Sequence, residues 1–399
     1  MKLVNAKVFI DGAFVDGGVE FTDVIQAAGA DVTGDTGCCG SAEDGLGADC
    51  PAEKAAASET AEAGVIDCGG AYIIPGFVDI HTHAAVDEDA SDGTIEGLEK
   101  MSLYYAARGV TSWCPTTMTL SEETLTKAVK AAAAFKRPEN GAKVAGINLE
   151  GPFINIEKKG AQNGEFVKAP DIDMFNRLYD ASEGLVKLIT VAPETEGAIE
   201  FIKEASKKVT VSLGHTDADY DTAMKAYEAG ARHTTHLYNA MPSLHHRKPG
   251  VIAAASDAGA TVELIVDGFH SHPSVVRLTQ RLFADKLVMI SDSARCSGMP
   301  DGEYELGGLP ITMINGKAVL TGTDTLAGST IHLMDGFLRG IKFGIPIEEA
   351  VEATTIRPAR VIGADDKIGS IAPGKCADLI VLTPDLDIVD VYIDGRPIG

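Results

Sequence analysis

Eight short apolar runs, spaced through the middle of the chain, restrict its fold more than any other feature. They read IIPGFVDIHTH, GVTSWCPTTM, KVAGINLEGPF, VKLITVAPE, KVTVSLGHT, ARHTTHLYNA, ATVELIVDG and KLVMISDS. Each has the length and composition of a strand, and the segments between them carry helix signals. SEETLTKAVKAAAAFKR opens with Ser121 as N-cap, followed by Glu122 and Glu123 in the first turn, where acids suit the helix dipole. DADYDTAMKAYEAG sets Tyr220, Ala223, Met224 and Tyr227 on one stripe and stops at Gly230. Eight strands alternating with helices predict an α/β fold, a parallel (β/α)8 barrel, with its site at the C-terminal ends of the strands.

The ends of the chain follow another rhythm. LVNAKVFIDGAFVDGG alternates apolar and polar residues around Asp11-Gly12, a hairpin signature. ADLIVLTPDLDIVDVYIDGRPIG repeats the style, with turns at Pro384-Asp385 and Asp394-Gly395. These patterns predict a small β-sandwich domain built from both termini: residues 1–75, then a barrel over 76–350, then 351–399 completing the β-domain. Residues 26–64 fit neither pattern. They hold eight acids against one lysine and almost no large apolar side chain, so they read as an acidic surface insertion that cannot offset its ordering entropy. Cys38, Cys39 and Cys50 within it read as an inert loop rather than a soft-metal site.

Composition narrows the function. A formal net charge of −24 argues against nucleic acid and anionic membrane as partners, since phosphate binding needs clustered Lys and Arg. No apolar run reaches bilayer length, and MKLVNAKVFIDG lacks the apolar core of a signal peptide. Seven cysteines without a Cys-x-x-Cys pair suggest reduced thiols and a cytoplasmic protein.

The polar residues at the run ends carry the chemistry. His81 and His83 stand two apart in GFVDIHTHAA, so both imidazoles face one side of a strand. Glu150 closes the third run, His215 the fifth, His236 the sixth and Asp292 the eighth. Each alone has a plain explanation as a cap, turn acid or structural acid. Five strand ends bearing metal-type residues on one face do not. Two imidazoles and a carboxylate make a catalytic site with a position left for water. Asp292, on a neighbouring strand, would take a proton from that water and give it to a leaving nitrogen, which describes hydrolysis of an amide-like bond. Arg247 in SLHHRKPG belongs to a basic patch suited to a phosphate dianion, with a solvated loop as the plain alternative. His245 and His246 read as loop residues and Trp113 as core.

GFVDIHTHA, LEGPF, SLGHT, THLYNAMP, ISD, TLAGS and APGKCADLIVL together resemble the amidohydrolase superfamily. Within it the chain is most similar to the branch that deacetylates N-acetyl amino-sugar 6-phosphates, over nearly its whole length except 26–64. The resemblance implies a divalent cation (Zn, Fe, Mn or Co) held by Glu150, His215 and His236, with Asp292 as general acid/base. It implies that Ala161, Gln162, Asn239, Ala240, Arg247, His270, Leu326, Ala327 and Gly328 contact N-acetyl-D-glucosamine 6-phosphate. It also implies a homodimer in which Arg247 reaches the neighbouring subunit's phosphate. Single-metal members carry Gln-x-Asn where this chain has His81-x-His83, and a His where it has Gln162. Both departures suit a second cation at His81 and His83, bridged by Glu150. D-aminoacylase, dihydroorotase and adenine deaminase types are rivals, but no lysine stands in a bridging motif here. A catalytically inactive, assembly-forming relative is the other alternative, and such proteins usually lose ligands that this chain retains.

Overall fold

The computed structural model describes residues 1–34, 58–59 and 64–398. The eight apolar runs form parallel strands, β1 (Phe77–Thr82), β2 (Val110–Thr117), β3 (Ile147–Glu150), β4 (Val186–Val191), β5 (Thr210–Leu213), β6 (His233–Thr234), β7 (Thr261–Ile265) and β8 (Leu287–Ile290). They pair in chain order from β1 to β8. No ladder joins β8 to β1. Single hydrogen bonds tie that seam instead, among them Asp292 N–H to His81 O at 2.8 Å and Ser291 Oγ–H to Asp79 Oδ2 at 2.6 Å. A helix follows each strand, from Ile95–Ala106 after β1 to Leu333–Phe343 after β8. The expected caps are present. Ser121 Oγ accepts from Thr124 N–H, and Gly230 ends the helix Tyr220–Ala229. An Ala in place of such an N-cap typically costs about 1 kcal/mol.

β8 does not lead directly to its helix. A three-stranded antiparallel sheet, Gly302–Leu306, Leu309–Ile314 and Lys317–Leu320, intervenes and packs over the barrel mouth through Met118, Leu306, Ile311 and Ala327. The eight-run pattern did not include it, because its strands are only four to six residues long.

Both termini join one mixed nine-stranded sheet, separate from the barrel. Asp11 and Gly12 have φ of 49° and 82°, and Asp394 and Gly395 of 49° and 70°, as two-residue hairpin turns require. Gly76 alone separates the strand Tyr72–Pro75 of this sheet from β1, and a Cβ there would lie 2.2 Å from Thr111. Lys143 of the barrel binds Asp378 at 2.7 Å and Asp394 at 2.8 Å, across to the small sheet. The acidic insertion begins later than 26: Ile25–Gly29 is a strand paired with Ala13–Phe21, and Val32 is buried. Alternating small residues gave that strand no apolar signature. Cys38, Cys39 and Cys50 lie outside the described residues.

Candidate active site

Strand ends deliver the polar residues to one place. His215, His236 and Asp292 leave β5, β6 and β8 with φ of 46°, 24° and 48°, a region non-glycine residues seldom enter and one that clusters at functional sites. Each turn lifts its side chain off the strand line and into the barrel mouth.

Two groups of donors result, Glu150 with His215 and His236, and His81 with His83 and Asp292. Glu150 Oε1 stands 3.2 Å from His215 Nε2 and 2.9 Å from His236 Nε2. Two ligands sharing one tetrahedral ion at about 2.0–2.1 Å sit about 3.3 Å apart, so this spacing suits a cation. Glu150 also faces the second group, with Oε1 3.4 Å from His81 Nε2 and Oε2 3.2 Å from His83 Nε2. Asp292 Oδ1 is 3.3 Å from His83 Nε2 and 3.6 Å from His81 Nε2. Glu150 thus lies between the groups, with Oε1 facing His215, His236 and His81 and Oε2 facing His83.

The ring partners test whether these imidazoles suit a metal. His83 Nδ1 faces Thr116 O at 3.1 Å and His215 Nδ1 faces Lys158 O at 2.9 Å. A carbonyl only accepts, so each Nδ1 carries the proton and each Nε2 is left as the inward ligand atom. His81 Nδ1 donates in the same way to Glu263 Oε2 at 2.8 Å. His236 Nδ1 is buried without a partner. The donor set fits a divalent cation.

The electrostatics agree. Burial opposes a charged His83, yet the Asp292 and Glu150 carboxylates outweigh it and raise its pKa to about 10. Burial likewise opposes the charge on Asp292, and His81 and His83 overcome it and hold the carboxyl below its usual range. Without a cation the cluster therefore retains protons where a metal would supply positive charge.

A cavity of about 320 Å³ opens onto this cluster, lined by His83, Glu150, His215, His236 and Asp292 and by Ala161, Gln162, Asn239, Ala240, His270, Leu326 and Gly328. Ala327 is buried behind its neighbours rather than lining the cavity, and Arg247 is exposed on a loop outside it, donating to His246 Nε2 at 2.6 Å. Gly328 has φ of 60°, and a Cβ there would press on Asp292 O at 3.0 Å. Thr119 N–H donates to Gln162 Oε1 at 2.6 Å, which turns the Gln162 amide nitrogen onto Glu150 Oε2. Gln162 accordingly orients the carboxylate. Trp113 is fully buried, as a core residue should be.

Several residues here escaped the sequence reading. Met118 and Leu306 wall the cavity, and Asp324 and Thr325 stand beside it. Asp267 accepts from His270 Nδ1 at 2.7 Å. Glu263 is wholly buried behind His81. An acid inside the apolar run ATVELIVDG was the available signal for Glu263; the carbonyls of Thr116 and Lys158 had none.

The sequence profile of the amidohydrolase family matches residues 72–398. The chain belongs to the amidohydrolase family. The N-acetylglucosamine-6-phosphate deacetylase of Bacillus subtilis (strain 168) is 36% identical over 332 residues, covering 81% of this chain and 84% of the relative. The N-acetylgalactosamine-6-phosphate deacetylase of Escherichia coli O157:H7 is 35% identical over 346 residues, covering 86% and 91%. Among solved structures, the N-acetyl-D-glucosamine-6-phosphate deacetylase of Mycobacterium smegmatis superposes with a TM-score of 0.85 at 30% identity, covering 100% of each chain. Amidohydrolases of this kind depend on metal, and this one presents two groups of buried donors for it. No helix among the described residues is long and apolar enough to cross a membrane.

Proposed function

We propose that this amidohydrolase removes the acetyl group from N-acetyl-D-glucosamine 6-phosphate, giving D-glucosamine 6-phosphate and acetate. The observation that carries the reading is Glu150, His215 and His236 converging beside Asp292 at the floor of a sugar-sized cavity. Glu150, His215 and His236 would hold a divalent cation, and His81 and His83, with Asp292, a second. When bound, such a cation polarises the amide carbonyl and acidifies water. Asp292 takes a proton from the attacking water and returns it to the departing sugar nitrogen. Gln162 keeps Glu150 oriented, while Asn239, Ala240, His270 and Leu326 seat the sugar. Arg247 reads the phosphate of the neighbouring subunit in a homodimer; its exposure away from its own cavity supports that role. The enzyme works in amino-sugar catabolism in the cytoplasm. A second reading, N-acetyl-D-galactosamine 6-phosphate as substrate, is favoured by the near-equal identity of the Escherichia coli relative.

The test is acetate release from both 6-phosphates and from their unphosphorylated sugars, with metal content determined on the same sample. Efficient turnover of a 6-phosphate with bound metal is expected. Turnover confined to non-sugar amides or to nucleobases would overturn the reading.

A further inference from the structure

Glu263 is a carboxylate with 0% exposure in the middle of β7, between Val262 and Leu264. Burying such a charge is costly unless every lone pair is engaged. Here they are engaged unequally. Oε1 accepts from His233 Nε2 at 3.0 Å, on the side away from the donor groups. Oε2 accepts from His81 Nδ1 at 2.8 Å and also from the backbone N–H of His236 at 3.0 Å. One oxygen therefore touches a member of each donor group, the His81 imidazole of the second and the His236 backbone of the first. The geometry points to Glu263 as a positioning residue for the second cation: it fixes the His81 ring with Nε2 inward and supplies the negative charge that makes a second dication tolerable there. This rests on the two-cation reading above.

The charge count gives the reason. Two dications held by these groups would have only Glu150 and Asp292 as anionic ligands. Glu263 sits one imidazole away and contributes a third carboxylate through the His81 ring, whose basicity the hydrogen bond raises. His83, by contrast, is backed by a neutral carbonyl, Thr116 O. His81 is thus the ligand whose strength depends on a charged partner. The backbone bond to His236 needs only an acceptor, and the Gln side-chain oxygen provides one. Replacing Glu263 with the isosteric Gln should therefore spare the cation of Glu150, His215 and His236.

The experiment titrates full-length protein with cobalt(II), following bound metal per chain and the visible spectrum. Wild type is expected to take two ions. Glu263→Gln is expected to bind the first with unchanged affinity and the second about 10- to 100-fold more weakly. Should that variant be insoluble, Glu263→Asp shortens the side chain and draws the charge away from His81, and a larger loss at the second ion than at the first is expected. Either soluble variant binding both ions with wild-type affinity, or weakening both equally, would overturn the inference. Wild type binding a single ion would instead overturn the two-cation reading itself, and this inference with it.

Discussion

His83 shows how a single residue couples the site to pH. Its pKa is raised to about 10 by Asp292 and Glu150 against the opposing effect of burial, and a cation needs the same Nε2 lone pair. The sign follows: below pH 10 a proton competes with the metal, so affinity at His83 should rise with pH, by up to about tenfold per unit for one displaced proton. Potentiometry during metal addition should record proton release; none at pH 7 would contradict the proton-for-cation exchange. Asp292→Asn tests the neighbouring role. It removes proton transfer while leaving Glu150, His215 and His236 in place, so the first cation should remain and turnover should fall by about 10² to 10⁴. Near wild-type turnover in steady-state assays would remove Asp292 from the mechanism.

Elements set where these residues can act. Strand ends supply the ligands because parallel strands share one direction and bring all C-terminal ends to one face. Gly34 and Gly64 flank residues 35–63, and a Cβ on Gly34 would lie 3.8 Å from Val65 Cγ1, so the two flanks are neighbours. Replacing 35–63 by a two-residue linker removes only the two-residue strand Ser58–Glu59 from the sheet and should leave soluble protein with its melting temperature within a few degrees, since closing a shorter loop costs less entropy. A deletion from 26 should fare worse, because it removes the strand Ile25–Gly29 from the edge of the small sheet. Thermal melts of both variants make the comparison, and equal outcomes would show that this strand carries no stability.

At the scale of the molecule, Arg247 is not among the residues that line its own chain's cavity. Arg247→Ala should raise KM for the 6-phosphate about ten- to a hundredfold, the loss of a charge-assisted contact of roughly 1.5–3 kcal/mol, with little effect on the unphosphorylated sugar. Mixing Arg247→Ala with Asp292→Asn chains then separates the two geometries. If Arg247 serves the partner, a hybrid dimer holds one site with both Asp292 and a borrowed Arg247. Random mixing should recover up to about a quarter of the wild-type rate at low substrate, since hybrids are half of the dimers. No recovery above the separate variants would place Arg247 in its own chain or outside the site.

Sequence alone determined the barrel, its strand order, the helix caps and the two hairpin turns, and it located His81, His83, Glu150, His215, His236 and Asp292 at strand ends. These were legible because each rests on local chemistry: a period, a cap, a turn residue, or a ligand type at the end of an apolar run. Tertiary structure alone decided that Gln162 orients Glu150 and that Glu263 backs His81 from 182 positions away in the chain. It also decided which ring nitrogens face inward, through the carbonyls of Thr116 and Lys158. Those carbonyls are the same group in every residue, so no side-chain identity marks them. Pairings of that kind depend on distances between strands that are far apart along the chain, and a sequence pattern records only neighbours.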